Sequence, residues 1–344
     1  MAFPHLHLGG GAYDIGHGLG EFGREAVHRH LRPLPLWQRL ADLAGSDAAR
    51  SMRAAVERRF PRYWQELEGL ADGLELPLEE VFLWNCRGDF VQQQSIDGCT
   101  TMLGPTARGT LIAHNEDGFP QLRGHCALVS VSPEQGLGFT SFVYPGSIPG
   151  HTFAVNEKGL VVTVNNIRPR AIPAGLPRQV LGRASLDAAS IDEAVDILAS
   201  EGRAGAFHHA LGQLGSQRLV SFEGTSEGAS VVEVQHPCGH SNHLVHPALG
   251  GVAQRITGSS GKRQACVDAR IAGLGERLDR AEALAILRDT SGGDLPVYRC
   301  AADDPDDENT LATALFLIGA DAVDWAVYTE ADIHTPTLSG RVVS

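Results

Sequence analysis

Cys99 lies in Gly98-Cys99-Thr100-Thr101, with Asp97 just upstream, where the hydrophobic pattern of the chain changes. Most cysteines in reduced proteins are small buried hydrophobes, and only a thiolate-favouring site makes one a nucleophile. Cys86, Cys126, Cys238, Cys266 and Cys300 are scattered, form no CxxC pair, and read as the former. Cys99 differs in its neighbour. An internal cysteine after glycine can attack the preceding carbonyl, here that of Gly98, and cut its own peptide bond through an ester-like intermediate. The new terminus carries a thiol and a free amine, and an α-amine pKa of about 7.7–8.0 suits it as general base for its own side chain. This is the N-terminal variant of triad chemistry. It needs a carboxylate to orient the amine and donors for the tetrahedral oxyanion. Asp117 in AHNEDG, Asn166 in TVNNI and Asn242 in HSNHL stand at or near the ends of expected strands, where a sheet can hold them rigidly.

The elements that must position these residues follow from the periodicity. Residues 15–90 carry apolar residues at three- and four-residue spacing and read as helices, with Pro77 at a helix start. From about residue 109 the period becomes two, and GTLIAHNED, CALVSVS, HTFAVNEKGLVVTVNNI, RLVSFEG and ASVVEVQHP read as strands. Helices interrupt them at SIDEAVDILAS, where Ser190 and Glu193 form an expected capping box, and from KRQACVDARIAGL to RAEALAILRDT. A hairpin around Gly319-Ala320-Asp321 follows. Helices first, then strand runs with inserted helices, predict an α+β layered protein and not a βαβ repeat.

Composition bounds the partners. A net charge of −13, from 28 Lys+Arg against 41 Asp+Glu, supplies no basic footprint for nucleic acid or an anionic membrane, which leaves small molecules or proteins. No segment has the roughly 20 apolar residues of a membrane span, and the N-terminus lacks a signal-peptide pattern, so a cytoplasmic location is expected. Gly18, Gly20 and Gly23 match G-x-G-x-x-G without its strand context and read as a glycine-rich turn. Gly224–Gly228 match G-x-S-x-G but lead into a strand, so they read as a hairpin turn. His236, Cys238, His240, His243 and His246 offer five soft donors and support the rival reading, a non-catalytic β-rich protein with a metal site at 236–246.

DGCTTM followed by IAHNEDG resembles the Gly-Cys-Thr junction and Asn-x-Asp segment of the isopenicillin N acyltransferase family, cysteine N-terminal-nucleophile enzymes related to bile-salt hydrolases. The resemblance extends through LEGLADGL, YPGSIPG, VNEKGLVVTVNN, SNH and GSSGKR. It implies a four-layer αββα sandwich of two antiparallel sheets, made as one precursor. The cut falls between Gly98 and Cys99, giving an α chain, 1–98, and a catalytic β chain, 99–344. By the same resemblance Cys99 is the nucleophile, Asp117 the carboxylate at it, Asn166 the oxyanion asparagine, Asn242 a second structural or substrate-contacting asparagine, and Arg263 the late arginine near the nucleophile. Thr100 and Asp97 are candidates for assisting the cut, and His114 and Asn115 for substrate binding or activation. Relatives commonly carry arginine where this chain has His114, so the thiol must be tuned differently or another cation must substitute. The expected partners are a small N-acylated substrate or acyl-CoA and, as an open option, further copies of the chain; neither cofactor nor catalytic metal is expected.

Overall fold

The computed structural model describes residues 3–91, 98–330 and 334–343; Asp97 lies outside them. The chain runs from β1 (His5–Gly10) through α1 (Ala12–Ala26), α2 (Pro35–Ala41), α3 (Asp47–Arg59), α4 (Pro61–Leu74), α5 (Leu78–Asn85) and α6 (Arg87–Phe90). Cys99 opens β2 (Cys99–Pro105), which turns back as β3 (Thr110–Gly118). A meander of β4 (Ala127–Pro133), β5 (Phe139–Val143), β6 (Phe153–Asn156) and β7 (Leu160–Ile167) leads to α7 (Arg178–Ser185) and α8 (Ile191–Leu198). Next come β8 (Ala206–Gln213), β9 (Leu219–Thr225), β10 (Gly228–Glu233) and β11 (Cys238–His240). Finally α9 (Gly258–Ile271) and α10 (Arg280–Leu287) precede β12 (Asn309–Ile318), β13 (Ala322–Tyr328) and β14 (Leu338–Val343).

The strands form two sheets, ordered β1-β4-β5-β6-β7-β8-β9-β10 and β11-β2-β3-β12-β13-β14. They face each other where β2 and β3 pack on β7 and β8. Helices α1 and α8 lie against the first sheet, and α9 and α10 against the second, which is the expected αββα order. Aromatic residues fill the gap between the sheets: Phe153 stacks on Phe142 at 5.2 Å and meets Phe316 of the second sheet edge-on at 6.2 Å. Among the described residues every pairing of these strands is antiparallel except one. β1, absent from the sequence-based expectation, pairs parallel to β4 along its whole length, so the start of the chain is an edge strand of the first sheet.

The glycines at 18, 20 and 23 form no turn. They lie inside α1: Gly16 and Gly20 let it approach α4 at backbone contact, while Gly18 faces Leu8 of β1 and Gly23 faces Pro145 and Gly146. A Cβ on Gly16 would sit 1.9 Å from the Glu66 carbonyl oxygen, one on Gly20 2.5 Å from that of Leu70, and one on Gly73 2.2 Å from that of His17. Gly16 and Gly20 thus form one side of a packing seam whose other side, Gly69 and Gly73, lies on α4. Gly224–Gly228 do make the expected hairpin, with Thr225 paired to Gly228. Ser190 caps α8 by accepting from Glu193 N at 3.1 Å, but Glu193 reaches back to Ala189 N, one residue beyond the expected box. Among the described residues no helix is long and apolar enough to cross a membrane.

Candidate functional site

Strand register builds the site. β2 and β3 pair with Cys99 opposite Glu116, Thr100 opposite Asn115 and Thr101 opposite His114. Side chains alternate across a strand, so Cys99, Thr101, His114 and Glu116 share the face between the sheets, while Thr100, Asn115 and Asp117 face the α9–α10 layer. The Gly98–Cys99 peptide lies at the start of β2 and is held from both sides. Cys99 N donates to Asn242 Oδ1 at 2.9 Å, and Asp117 N donates to Gly98 O at 2.8 Å. Arg263, buried on α9, donates to the Cys99 carbonyl, to Thr100 Oγ1 at 2.9 Å and to Asn242 Oδ1 at 2.6 Å. Its Nε is fixed by Ser259 Oγ at 3.0 Å, and Asn242 Nδ2 donates to the Asn166 carbonyl at 3.0 Å. A planar fork suits these acceptors as an ammonium cannot. Arg263→Lys is therefore expected to lower stability by about 2 kcal/mol, read from a urea midpoint, as charged hydrogen bonds to buried acceptors are lost; a wild-type midpoint would contradict the anchoring role.

Gly98 is required where it stands: a Cβ there would fall 2.6 Å from Glu308 Oε2 and 3.3 Å from Asp117 Oδ2. Asp117 Oδ1 accepts from Thr310 at 2.7 Å, and Oδ2 has no hydrogen-bond partner among the described residues. Burial raises the Asp117 carboxyl, opposed by Arg263 and Arg299. Glu308, which the sequence did not single out, pairs with Arg299, and its Oε1 also lacks a partner among the described residues. Burial carries its carboxyl from the ordinary 4.5 to about 8 against the pull of Arg299, which Asp304 also neutralises. Two carboxyl oxygens without partners thus lie beside one peptide bond: Asp117 Oδ2 is an acceptor awaiting a donor, and Glu308 Oε1 is the place for a proton, since Oε2 accepts from Arg299. A raised folded value means that the native protein keeps a proton the unfolded chain has released. Glu308 thus makes stability fall as pH rises from about 4.5 through about 8. Glu308→Gln is expected to remove several degrees of that decline in a series of Tm measurements across this range; parallel wild-type and variant curves would rule out a proton on Glu308.

The remaining expected residues divide. Asn166 joins the cluster through its backbone carbonyl, and its Oδ1 is held by Arg178. Asn115 does not serve as a substrate-facing group: Nδ2 donates to Leu287 O at 2.6 Å and Oδ1 accepts from Thr313 at 2.7 Å, so it ties α10 to the sheet. His114 lies at the thiol, through Glu116. Glu116 Oε2 is 3.7 Å from Cys99 Sγ and 3.0 Å from His114 Nε2, and Tyr144 donates to Oε1 at 2.6 Å. Glu116 and Tyr144 were missed, although alternation in HNED already puts residue 116 on the face of residue 114. Of the 236–246 cluster, His240 bonds Glu223 at 2.9 Å, His243 bonds Ser260 at 2.8 Å and His246 bonds Ser221 at 2.9 Å. His240 and His246 share Glu223 while His243 turns to Ser260, and among the described residues the donors of this cluster do not converge within 4.8 Å, which corrects the rival metal reading. Among the described residues the His, Cys and carboxylate donors that converge within 4.8 Å are those of Cys99, His114 and Glu116, the separation their mutual hydrogen bonds produce.

Residues 105–331 match the family described as acyl-coenzyme A:6-aminopenicillanic acid acyl-transferase. The chain belongs to that family. This acyl-transferase family member is 28% identical over 228 residues to the beta-alanyl-dopamine/carcinine hydrolase of Drosophila melanogaster, covering 59% of the chain and 58% of that protein. It is 28% identical over 156 residues to the 40 kDa form of the acyl-coenzyme A:6-aminopenicillanic-acid-acyltransferase of Emericella nidulans, covering 44% of the chain and 43% of that protein. The matches thus span about half the length of these relatives. Among solved structures, a Caenorhabditis elegans ortholog of N-acylethanolamine-hydrolyzing acid amidase aligns at 13% identity and a TM-score of 0.45, over 63% of this chain and 92% of that one. A likeness at that distance carries no argument about the acyl-transferase family member's chemistry.

Proposed function

We propose that the chain cuts itself between Gly98 and Cys99 and that the freed Cys99 acts as an N-terminal nucleophile on a small N-acyl amide or acyl thioester. The observation that carries this reading is the grip on one peptide bond. Asn242 holds the nitrogen that would become the amine, Asp117 N holds the carbonyl of Gly98, and Arg263 fixes Asn242 and Cys99 together. In the first step Sγ attacks the Gly98 carbonyl, the C–N bond breaks, and water hydrolyses the thioester to a Gly98 carboxylate and a Cys99 amine. The amine meets the unpaired oxygen of Asp117 as a donor. It then takes the thiol proton, the thiolate attacks the substrate carbonyl, and the proton passes to the leaving group. The resulting acyl-enzyme is released to water or to an acceptor amine.

Asn242 and Asn166 are the amides for the oxyanion and its support. Of the two relatives described above, the one matched over the longer stretch is a hydrolase, which favours water as acceptor. Intact mass of the purified protein tests the reading. Two fragments that part before Cys99, together with amine release from N-acyl amides that needs no added acceptor, are expected. A single uncut 36.6 kDa chain that turns over neither amides nor acyl thioesters would overturn it.

A further inference from the structure

In the uncut chain the nitrogen of Cys99 is an amide and cannot serve as base, so the first proton of the self-cleavage proposed above must go elsewhere. A buried file of hydrogen bonds shows where, and its polarity can be followed from one end. Asn165 Nδ2 donates to the His240 carbonyl at 3.1 Å, which fixes the amide, because turning it over would set two oxygens against each other. Asn165 Oδ1 therefore faces Thr101 Oγ1 at 2.7 Å and His208 Nδ1 at 2.8 Å, and accepts from both. Thr101 has one proton, now directed at Asn165, so towards His114 Nδ1 at 2.8 Å it is an acceptor. His114 carries its ring proton on Nδ1, and the lone pair of Nε2 points at Glu116 Oε2, 3.0 Å away. Two acceptors at that distance require a proton between them. That proton is shared along the Oε2–Nε2 line, and burial, which lowers His114 and so disfavours a charged imidazole, favours the Oε2 side.

Glu116 Oε2 is also the atom 3.7 Å from Cys99 Sγ, while Tyr144 occupies Oε1. Cys99, Thr101, His114 and Glu116 are all buried, so bulk solvent does not reach the thiol in this state. Glu116 is faced by Cys99 from β2, His114 from its own strand, Tyr144 from the loop after β5, and Cys126 from the residue before β4. His114 is further faced by Thr101 and by the edge of Phe153.

We propose that Glu116 is a further catalytic residue which, with His114 behind it as positioning residue, forms one acid–base unit that takes the Cys99 thiol proton for the first cut. The S–H proton passes to Oε2 as the proton already on Oε2 passes to Nε2. The S–H bond is exchanged for an Nε2–H bond, which leaves a thiolate, a neutral carboxylic acid and an imidazolium in line. Negative charge on the sulfur offsets the cost of the buried cation. When the C–N bond breaks, Oε2 gives its proton to the departing Cys99 nitrogen as Nε2 returns one to Oε2, and the acylated sulfur takes no part. His114 thus supplies on demand the positive charge that an arginine at this position would carry permanently.

The test is the cleavage time course of freshly translated full-length chain between pH 7 and 9. Wild type is expected to cut at a rate nearly level with pH. Glu116→Gln is expected to be about a hundredfold slower at pH 7 and to regain roughly tenfold per pH unit as the thiol loses its proton unaided. Hydroxylamine, which opens thioesters, is expected to release no fragments from the stalled variant, since the blocked step precedes thioester formation. Cutting at the wild-type rate, or hydroxylamine-released fragments, would overturn the proposal. His114→Gln carries the same expectations if Glu116→Gln fails to fold. An infrared difference spectrum, wild type minus variant, separates this idea from the reading it rests on. A protonated-carboxyl band lost in the variant sustains the acid–base unit even where wild type proves uncut, and its absence removes the unit whether or not the chain is cut.

Discussion

Cys99→Ala is expected to remain a single 36.6 kDa chain and to lose acyl release by a factor on the order of 10⁴ or more, as removal of a covalent nucleophile does elsewhere. The loss should be chemical and not structural. Asn242 and Arg263 hold the backbone of residue 99, through its nitrogen and its carbonyl, and those bonds survive removal of the sulfur. The side chain is buried and small, so its truncation leaves a void the size of one sulfur atom at a strand start. Thermal unfolding of the variant should therefore stay within a few degrees of wild type. Intact mass, Tm and amide turnover on one preparation decide the matter. Two fragments from the alanine variant would mean that another agent cuts the chain, and retained turnover would mean that Cys99 is not the nucleophile.

The second large effect lies far from the thiol. Arg183→Met is expected to destabilise the fold by about 3–5 kcal/mol, the range for removing one partner of a buried ion pair. Arg183 Nε donates to both oxygens of Glu66, at 3.1 and 3.0 Å, and joins α7 to α4. The guanidinium lies over the rings of Tyr63 at 4.8 Å and Phe139 at 4.7 Å, and Asp187 accepts from Nη1 at 3.3 Å. Methionine fills much of that volume but leaves Glu66 buried with only the weaker pull of Arg62, and burial pushes the Glu66 carboxyl up. Protonating it relieves the penalty, so the loss should shrink as pH falls. Urea midpoints for the single variant and for Glu66→Gln/Arg183→Met measure both the loss and its recovery. A double variant no better than the single one would show that ring stacking, not charge, holds this joint.

The layered α+β arrangement was legible because helix and strand periods change at residues 95–110 and each run is long enough to show its period. β1 was not, since HLHLGG is short and its role depends on β4, which follows some 120 residues later. The glycines of α1 misled for a similar reason: a seam has two sides, and Gly69 and Gly73 lie some 50 residues further along the chain. At the site, Gly98, Cys99, Asp117, Asn242 and Arg263 could be named from residue types and a family likeness, and the fold brings them to one peptide bond. Asn115 shows the limit of that approach, since its neighbours in sequence face the opposite side of the sheet. Alternation in HNED was enough to place Glu116 beside His114, whereas Tyr144 and Glu308 acquire their places only through tertiary packing, which leaves little trace in a single sequence.

The parallel pairing of β1 with β4 has a consequence for any chain cut at Gly98. The piece that ends there would still own the outer strand of a sheet whose other seven strands belong to the second piece. Breaking one covalent bond would free no product. It would turn one polypeptide into two interlocked subunits, equimolar by origin, with an open end at the nucleophile and neither able to exchange without unravelling a sheet.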